Sequence, residues 1–135
     1  MSSHPKQLAL ERTLLALSHE VDEYLEDRYH DYFERHPNRP KRGTTASASH
    51  DGLFSIGTQF TPGYGSDLGR GYLVVIEIRT LQKVPPAIRQ TIEEDGIEFL
   101  RTRLPLFFPD RKIEVKRDGS VYKMVGDFSL GDASH

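Results

Sequence analysis

The sequence predicts an α+β fold, in which a long N-terminal helix precedes a β-β-α-β-β unit that forms a four-stranded, mainly antiparallel sheet with one helix packed on it. Three observations lead to this prediction. An apolar stripe with helical spacing occupies the first 36 residues, a β-branched run covers residues 71–80, and two alternating segments flank an Asp-Gly pair at residues 118–119. The order α-β-β-α-β-β occurs in unrelated small folds, so it predicts no function by itself.

Residues 71–80 have the pattern of the central strand of the sheet. Val74, Ile76 and Ile78 recur at period two on one face, while Leu73 and Val75 lie on the other face. A strand that is apolar on both faces is typical of the middle of a sheet. We therefore expect the rest of the chain to pair with this strand or to cover it.

Residues from about 5 to 35 have the pattern of one helix, so residues 1–36 form the first predicted segment. Its apolar stripe includes Leu10, Leu14, Leu17 and Val21. At 1.5 Å per residue the helix would be roughly 45 Å long, and it would overhang the body that the remaining residues can form. An overhanging stripe needs a partner, so we predict a homo-oligomer that assembles through these four side chains. The alternative is that the stripe packs on the sheet.

Residues 37–52 have the composition of a mobile basic linker, because two prolines, two glycines and a Ser/Thr/Ala tract bury little apolar surface. Arg39, Lys41 and Arg42 give this segment uncompensated positive charge. These three cations are candidate nucleic-acid contacts, because Lys and Arg supply the contacts to phosphate. The alternative is that they screen the acidic helix that precedes them.

Residues 53–130 form the predicted core, and a glycine-rich loop joins its first two strands. The candidate residues for an anion or ligand site in this loop are Gly63, Gly65, Ser66, Asp67, Gly69 and Arg70. Backbone N–H groups beside a guanidinium suit a phosphate, which keeps a small hydrolase or a phosphate-binding domain open. The alternative is a plain hairpin connection, because the known phosphate loops lead into a helix and this loop leads into a strand.

A second helix is predicted over residues 86–104, where Gly96 suggests a close approach to the sheet. An apolar loop at residues 104–109 is predicted to follow this helix. Leu106 and Phe107 in that loop form a candidate contact patch for other proteins.

The pair Asp118-Gly119 predicts a two-residue hairpin turn. This turn places Val115 opposite Tyr122, and it places Glu114 opposite Lys123. The apolar side chains of the hairpin then share one buried face, which comprises Ile113, Val115, Tyr122 and Met124. Residues 131–135 are predicted to be a frayed tail.

Composition limits the function further. The chain has 135 residues, no cysteine and a net charge of −2, so it suits one domain without thiol chemistry, and a general nucleic-acid binder would be more basic. No signal-peptide pattern and no apolar run near the roughly 20 residues of a membrane span is present. We therefore expect a soluble, cytoplasmic protein without a membrane partner.

Two clusters have residue types that could carry chemistry. The first has spacings that suit a carboxylate–histidine metal site, and it comprises Glu23, Glu26, His30 and Glu34. The second is a possible nucleophile set of Ser47, Ser49, His50 and Asp51. The first lacks a companion histidine on a second helix, and the second lacks a rigid scaffold. We therefore predict no metal, no cofactor and no catalytic residue.

The favoured interpretation is a non-catalytic assembly or interaction module that self-associates and has room for another protein partner. A nucleic-acid-associated protein that uses the basic linker is one alternative. A small hydrolase or phosphate-binding domain that uses the glycine-rich loop is the other.

Overall fold

A computed structural model describes residues 5–45 and 50–128, and it confirms the α+β order. Its elements are α1 (Pro5–Tyr29), β1 (Phe54–Thr61), β2 (Gly71–Ile78), α2 (Pro86–Phe107), β3 (Ile113–Asp118) and β4 (Val121–Gly126). The strands form one antiparallel sheet in the order β1-β2-β4-β3. The predicted tail at residues 131–135 and the Ser/Ala tract at residues 46–49 lie outside the described residues.

The strand β2 is central, as the β-branched run predicted. It pairs with β1 on one side and with β4 on the other. Val74 and Ile76 are buried on its inner face, whereas Val75 and Glu77 on the outer face are exposed. The reason is that both described helices pack on the inner face, so neither of them covers the outer face.

The helix α1 ends at Tyr29, six residues before the predicted end. After Tyr29 the chain turns toward the end of β2, where the His36 N–H donates to the Arg79 carbonyl at 2.8 Å. A helix of 25 residues is about 37 Å long at 1.5 Å per residue. Its apolar stripe packs on the sheet and on α2, so the predicted overhang is absent from the described part of the chain.

The helix α2 continues through Pro105 to Phe107, so the apolar loop predicted at residues 104–109 is largely the last turn of this helix. A proline inside a helix removes one backbone donor and tends to kink the helix. Here the last turn still closes, because the Phe108 N–H donates to the Leu104 carbonyl at 2.8 Å. Burial of Leu104 and Phe108 holds this turn against the core.

The close approach predicted at Gly96 is confirmed. A Cβ atom at this position would lie 3.0 Å from Ile76 Cδ1 and 3.2 Å from Leu25 Cδ1. The missing side chain therefore lets α2 approach both the central strand and α1.

The hairpin of β3 and β4 has a different register from the predicted one. Val115 lies opposite Met124, and Lys116 lies opposite Lys123. The shift is two residues, so the same side chains still face the core. The cause is Asp118, which stays in β3 because its carboxylate binds Ser66 and Lys123. The turn therefore forms one residue later than predicted, at residues 119–120.

Candidate functional site

The strand β1 is an edge of the sheet, and its hydrogen-bonding pattern decides which of its backbone groups face outward. The Arg79 N–H donates to the Leu53 carbonyl at 2.6 Å just before the strand begins. Because hydrogen-bonded and non-bonded pairs alternate along an antiparallel ladder, the odd-numbered residues of β1 bond to β2. The N–H and C=O groups of Phe54, Ile56, Thr58 and Phe60 therefore point to the open edge.

The first part of this edge is closed by side chains from elsewhere in the chain. Glu26 Oε2 on α1 accepts the N–H groups of Leu53 at 2.7 Å and Phe54 at 3.0 Å. Arg39 Nη2 donates to the Phe54 carbonyl at 2.8 Å. Ile56 also has an interaction partner, so the stretch without partners begins after that residue.

The second part of the edge is open. Within residues 5–45 and 50–128, the outward N–H and C=O groups of Thr58 and Phe60 have no hydrogen-bond partner. Gln59 between them is exposed on the outer face. The following residues end the open stretch, because Pro62 has no N–H to offer.

A groove of about 730 Å³ runs between the first half of α1 and this open stretch. Its apolar lining comprises Leu10, Leu14, Leu15, Ile56, Phe60, Tyr72 and Phe128. Leu15 and Phe60 are 52% and 54% exposed, so apolar surface extends from the groove onto the strand edge. Such a surface is typical of contacts with another molecule.

The charged side chains of this site line the groove, and none of them belongs to the strand β1. Glu11 on α1 and Arg70 before β2 line the groove, and burial together with Glu11 raises the pKa of Tyr72. In contrast, residues 54–61 carry no charge at all. Proteins usually protect an exposed strand edge with lysine, proline or a bulge, and the open stretch of β1 shows none of these devices.

A network of buried acids fastens α1 to the segment before β1. Asp22, Glu26 and Asp51 are each at least 97% buried, and the half-buried Arg39 donates to the carbonyls of Asp51 and Gly52. Asp22 Oδ1 is buried without a hydrogen-bond partner among the described residues. Burial is the main cause that raises the pKa of Asp22 to about 8, and the nearby carboxylates add to it.

The basic residues of the predicted linker have intramolecular partners. Arg39 belongs to the buried network, and Arg42 pairs with Asp27 at 2.9 Å. Lys41 is exposed. The described linker residues therefore pack on α1 in the way the screening alternative expects, and the nucleic-acid contacts stay a prediction.

The glycine-rich loop covers a buried lysine. Lys123 is 1% exposed, and its Nζ lies 2.9 Å from Asp118 Oδ2, 3.0 Å from Ser66 Oγ and 2.7 Å from the Gly69 carbonyl. Several loop amides already donate within the loop, namely those of Gly63, Ser66, Leu68 and Gly69. An anion at the predicted site would have to displace these bonds, so this site also stays a prediction.

The structure places the predicted interaction residues in two different environments. Leu10, Leu14, Leu17 and Val21 are at most 7% exposed and belong to the core of the monomer. A second copy could contact these side chains only if they left the core, and self-association through them stays a prediction. Leu106 at the end of α2 is 63% exposed and Phe107 is half-buried, so this patch remains accessible.

The residues of the open edge were not singled out by the sequence, although the sequence carried a signal. The uncharged run at residues 54–61 could have drawn attention to this strand. What the sequence lacked was strand order, which decides that β1 is an edge.

Among the described residues, no group of three or more His, Asp or Glu side chains could hold a metal ion. Neither described helix has the length and apolarity to cross a membrane.

The chain is similar to other proteins over nearly the whole of its described fold. A family model with the description "Uncharacterised protein" matches residues 5–126. An uncharacterized protein of Borreliella burgdorferi is 44% identical over 118 residues, which span 87% of this chain and 92% of that protein. No solved structure matches the chain. The match covers both helices and all four strands.

Proposed function

The chain belongs to this family of uncharacterised proteins, and we propose that it is a non-catalytic interaction module that binds an extended polypeptide segment along the open stretch of β1. The observation that carries the proposal is the pair of outward-facing, unpaired residues Thr58 and Phe60 beside an apolar groove. An extended segment that adds to a sheet edge obtains affinity from backbone hydrogen bonds and specificity from pockets for alternate side chains.

The backbone groups of the open stretch suit one short added strand. Thr58 and Phe60 offer two N–H donors and two C=O acceptors at a spacing of two residues. An antiparallel segment pairs with such groups through residues that lie directly opposite them. Since Ile56 already has an interaction partner and Pro62 has no N–H, the proposed contact is about three residues long.

The groove supplies the pocket for side chains. In a hydrogen-bonded antiparallel pair, opposite residues place their side chains on the same face of the sheet. Thr58 and Phe60 face the inner side, where α1 and the groove lie. The residues of the added segment that bond to β1 therefore also direct their side chains into the groove, and apolar side chains at alternate positions fit its lining.

The geometry favours this function over the two alternatives. At the glycine-rich loop, Ser66 and Lys123 are both bound to Asp118, so the serine and the ammonium group hold the loop in place. At the linker, Arg39 and Arg42 have acidic or carbonyl partners within the chain. At the open edge, in contrast, the outward N–H and C=O groups of Thr58 and Phe60 have no hydrogen-bond partner among the described residues.

The test uses a soluble peptide of alternating threonine and valine with two lysines at each end. Its valines are expected to enter the groove, so the valine N–H groups face β1 and the threonine N–H groups face away. Methylation of the valine nitrogens is then expected to weaken binding at least tenfold, whereas methylation of the threonine nitrogens changes it by less than about twofold. Fluorescence anisotropy of each labelled peptide, titrated with dilute protein, measures the affinity of both methylated peptides.

Hydrogen exchange of the protein identifies the site in the same experiment. Bound peptide is expected to slow the amides of Thr58 and Phe60, while those of Gly57 and Gln59, which bond to β2, are slow in either state. Equal effects of the two methylated peptides, or Thr58 and Phe60 amides that stay fast when peptide is bound, would contradict binding at this edge.

A further inference from the structure

We propose that the segment bound at this edge is the same stretch of a second copy of the chain, so that two sheets join into one eight-stranded sheet across a two-fold axis at Gln59. This inference rests on the proposed function, because it names the partner of the same site. The proposed dimer contact is therefore the edge of β1, which is accessible in the folded monomer, and not the apolar stripe of α1, which is buried.

The hydrogen-bonding groups of the open stretch are complementary to themselves. A two-fold axis at Gln59 puts Thr58 of one copy opposite Phe60 of the other, and the reverse. Each such pair exchanges two hydrogen bonds, because both residues direct their backbone groups outward. All four outward groups of each copy are then satisfied, and the residues opposite each other on the outer face are the two Gln59 side chains.

Other registers of self-pairing satisfy fewer groups. An axis at Phe60 would put Thr58 opposite Pro62, which has no N–H. An axis at Thr58 would put Phe60 opposite Ile56, which already has an interaction partner. The axis at Gln59 is therefore the register that the described chain favours.

The side chains also suit a second copy. Residues 54–61 carry no charge, so pairing of the edge with itself places no like charges opposite each other. The two Phe60 rings become diagonal neighbours, within reach of aromatic contact. Each ring already makes an edge contact with Tyr72, with centroids 5.6 Å apart. Two-fold pairing thus covers the half-exposed Phe60, and it brings the exposed Leu15 of each copy to the same side of the joined sheet.

The proposal predicts a charge-swap result that other modes of association do not. Gln59→Lys and Gln59→Glu each place two like charges across the axis, and each is expected to weaken the dimer by up to about fivefold. Mixing the two variants places opposite charges across the axis, so a heterodimer at least as tight as the wild-type dimer is expected. Light scattering over a concentration series gives the masses, and a tag on one variant identifies the heterodimer.

Two further variants complete the test. Ser55→Lys adds the same charge to the same face of β1 outside the paired stretch, so its dimer should match the wild type. Thr58→Pro removes an outward N–H without touching the ladder to β2, and it is expected to weaken the dimer at least tenfold. Circular dichroism and the melting temperature establish that each variant is folded.

The outcomes separate this inference from the proposed function. A wild-type chain that is monomeric at all concentrations, or a dimer that neither the Gln59 variants nor Thr58→Pro change, would overturn the two-fold pairing. The peptide experiment then decides the proposed function independently. Peptide binding at Thr58 and Phe60 by a monomeric chain would leave an interaction module whose partner is another protein, whereas the absence of both peptide binding and self-pairing would overturn the two proposals together.

Discussion

Glu26 Oε2 lies 3.0 Å from the backbone nitrogen of Phe54, so a carboxylate from α1 occupies the first outward-facing donor of the edge strand. The same oxygen accepts the N–H of Leu53 at 2.7 Å. Glu26 therefore does two things at once, because it joins the helix to the sheet and it shortens the part of the edge that is open to another strand.

Removal of this carboxylate is expected to destabilise the fold. In Glu26→Ala the N–H groups of Leu53 and Phe54 lose a charged acceptor in a buried position, which costs about 2–3 kcal/mol of unfolding free energy. Urea denaturation followed by circular dichroism measures the loss. Glu23→Ala, an exposed position on the same helix, is the matched control and should stay within about 0.5 kcal/mol. Equal effects of the two changes would show that the bonds to β1 contribute little.

The fold was predictable from the sequence where one local pattern decided the structure. The β-branched run at residues 71–80 correctly predicted the central position of β2, although Val75 on its outer face is exposed. Ile113 and Met124 faced the core as predicted, since a register shift of two residues leaves every side chain on its original face.

The features that the sequence did not predict depend on contacts between distant parts of the chain. The register of the last hairpin is set by Asp118 through its bonds to Ser66, which lies 52 residues away in the sequence. The open edge depends on strand order, and its closed part depends on Glu26 and Arg39. Local periodicity holds no information about such partners, so the candidate site became visible only in the assembled fold.

The buried acid Asp22 is expected to make stability depend on pH. Its pKa is raised from 3.8 to about 8, so the folded state holds a proton that the unfolded state releases. A group of this kind favours folding most below its unfolded pKa, and this contribution is lost as pH rises from about 4 to about 8, by at most 1.4 kcal/mol per pH unit. Glu26 and Asp51 act in the same direction on this pKa, whereas Arg39 and Arg42 oppose it.

Asp22→Asn tests this dependence, because asparagine keeps the shape and cannot ionise. The variant is expected to gain stability over the wild type between about pH 4 and pH 8, with a constant difference above that range. Urea denaturation at a series of pH values gives the difference curve. Glu23→Gln on the exposed face of α1 is the control. A difference between Asp22→Asn and the wild type that does not change with pH would rule out a buried, protonated Asp22.

Truncation of two neighbouring leucines on α1 is expected to change the unfolding free energy by very different amounts. Leu14 is 2% exposed in the core, whereas Leu15 is 52% exposed beside the groove. Leu14→Ala should cost about 2–5 kcal/mol of unfolding free energy, and Leu15→Ala should cost no more than about 0.5 kcal/mol. If the proposed edge pairing holds, Leu15→Ala weakens association while the monomer stays stable. Denaturation and light scattering on the same samples separate the two effects, and a stable Leu14→Ala monomer would contradict the core position of the stripe.

Lys123 is expected to hold the glycine-rich loop on the outer face of the sheet. Its ammonium group has three partners, which are Asp118, Ser66 and the Gly69 carbonyl. Lys123→Ala leaves these groups without their shared donor, so we expect a loss of about 3 kcal/mol in unfolding free energy and faster proteolysis within residues 62–70. Lys116→Ala, an exposed lysine opposite Lys123 in the hairpin, should change neither. A loop that resists proteolysis equally in both variants would show that its own hydrogen bonds, and not the buried lysine, fix its conformation.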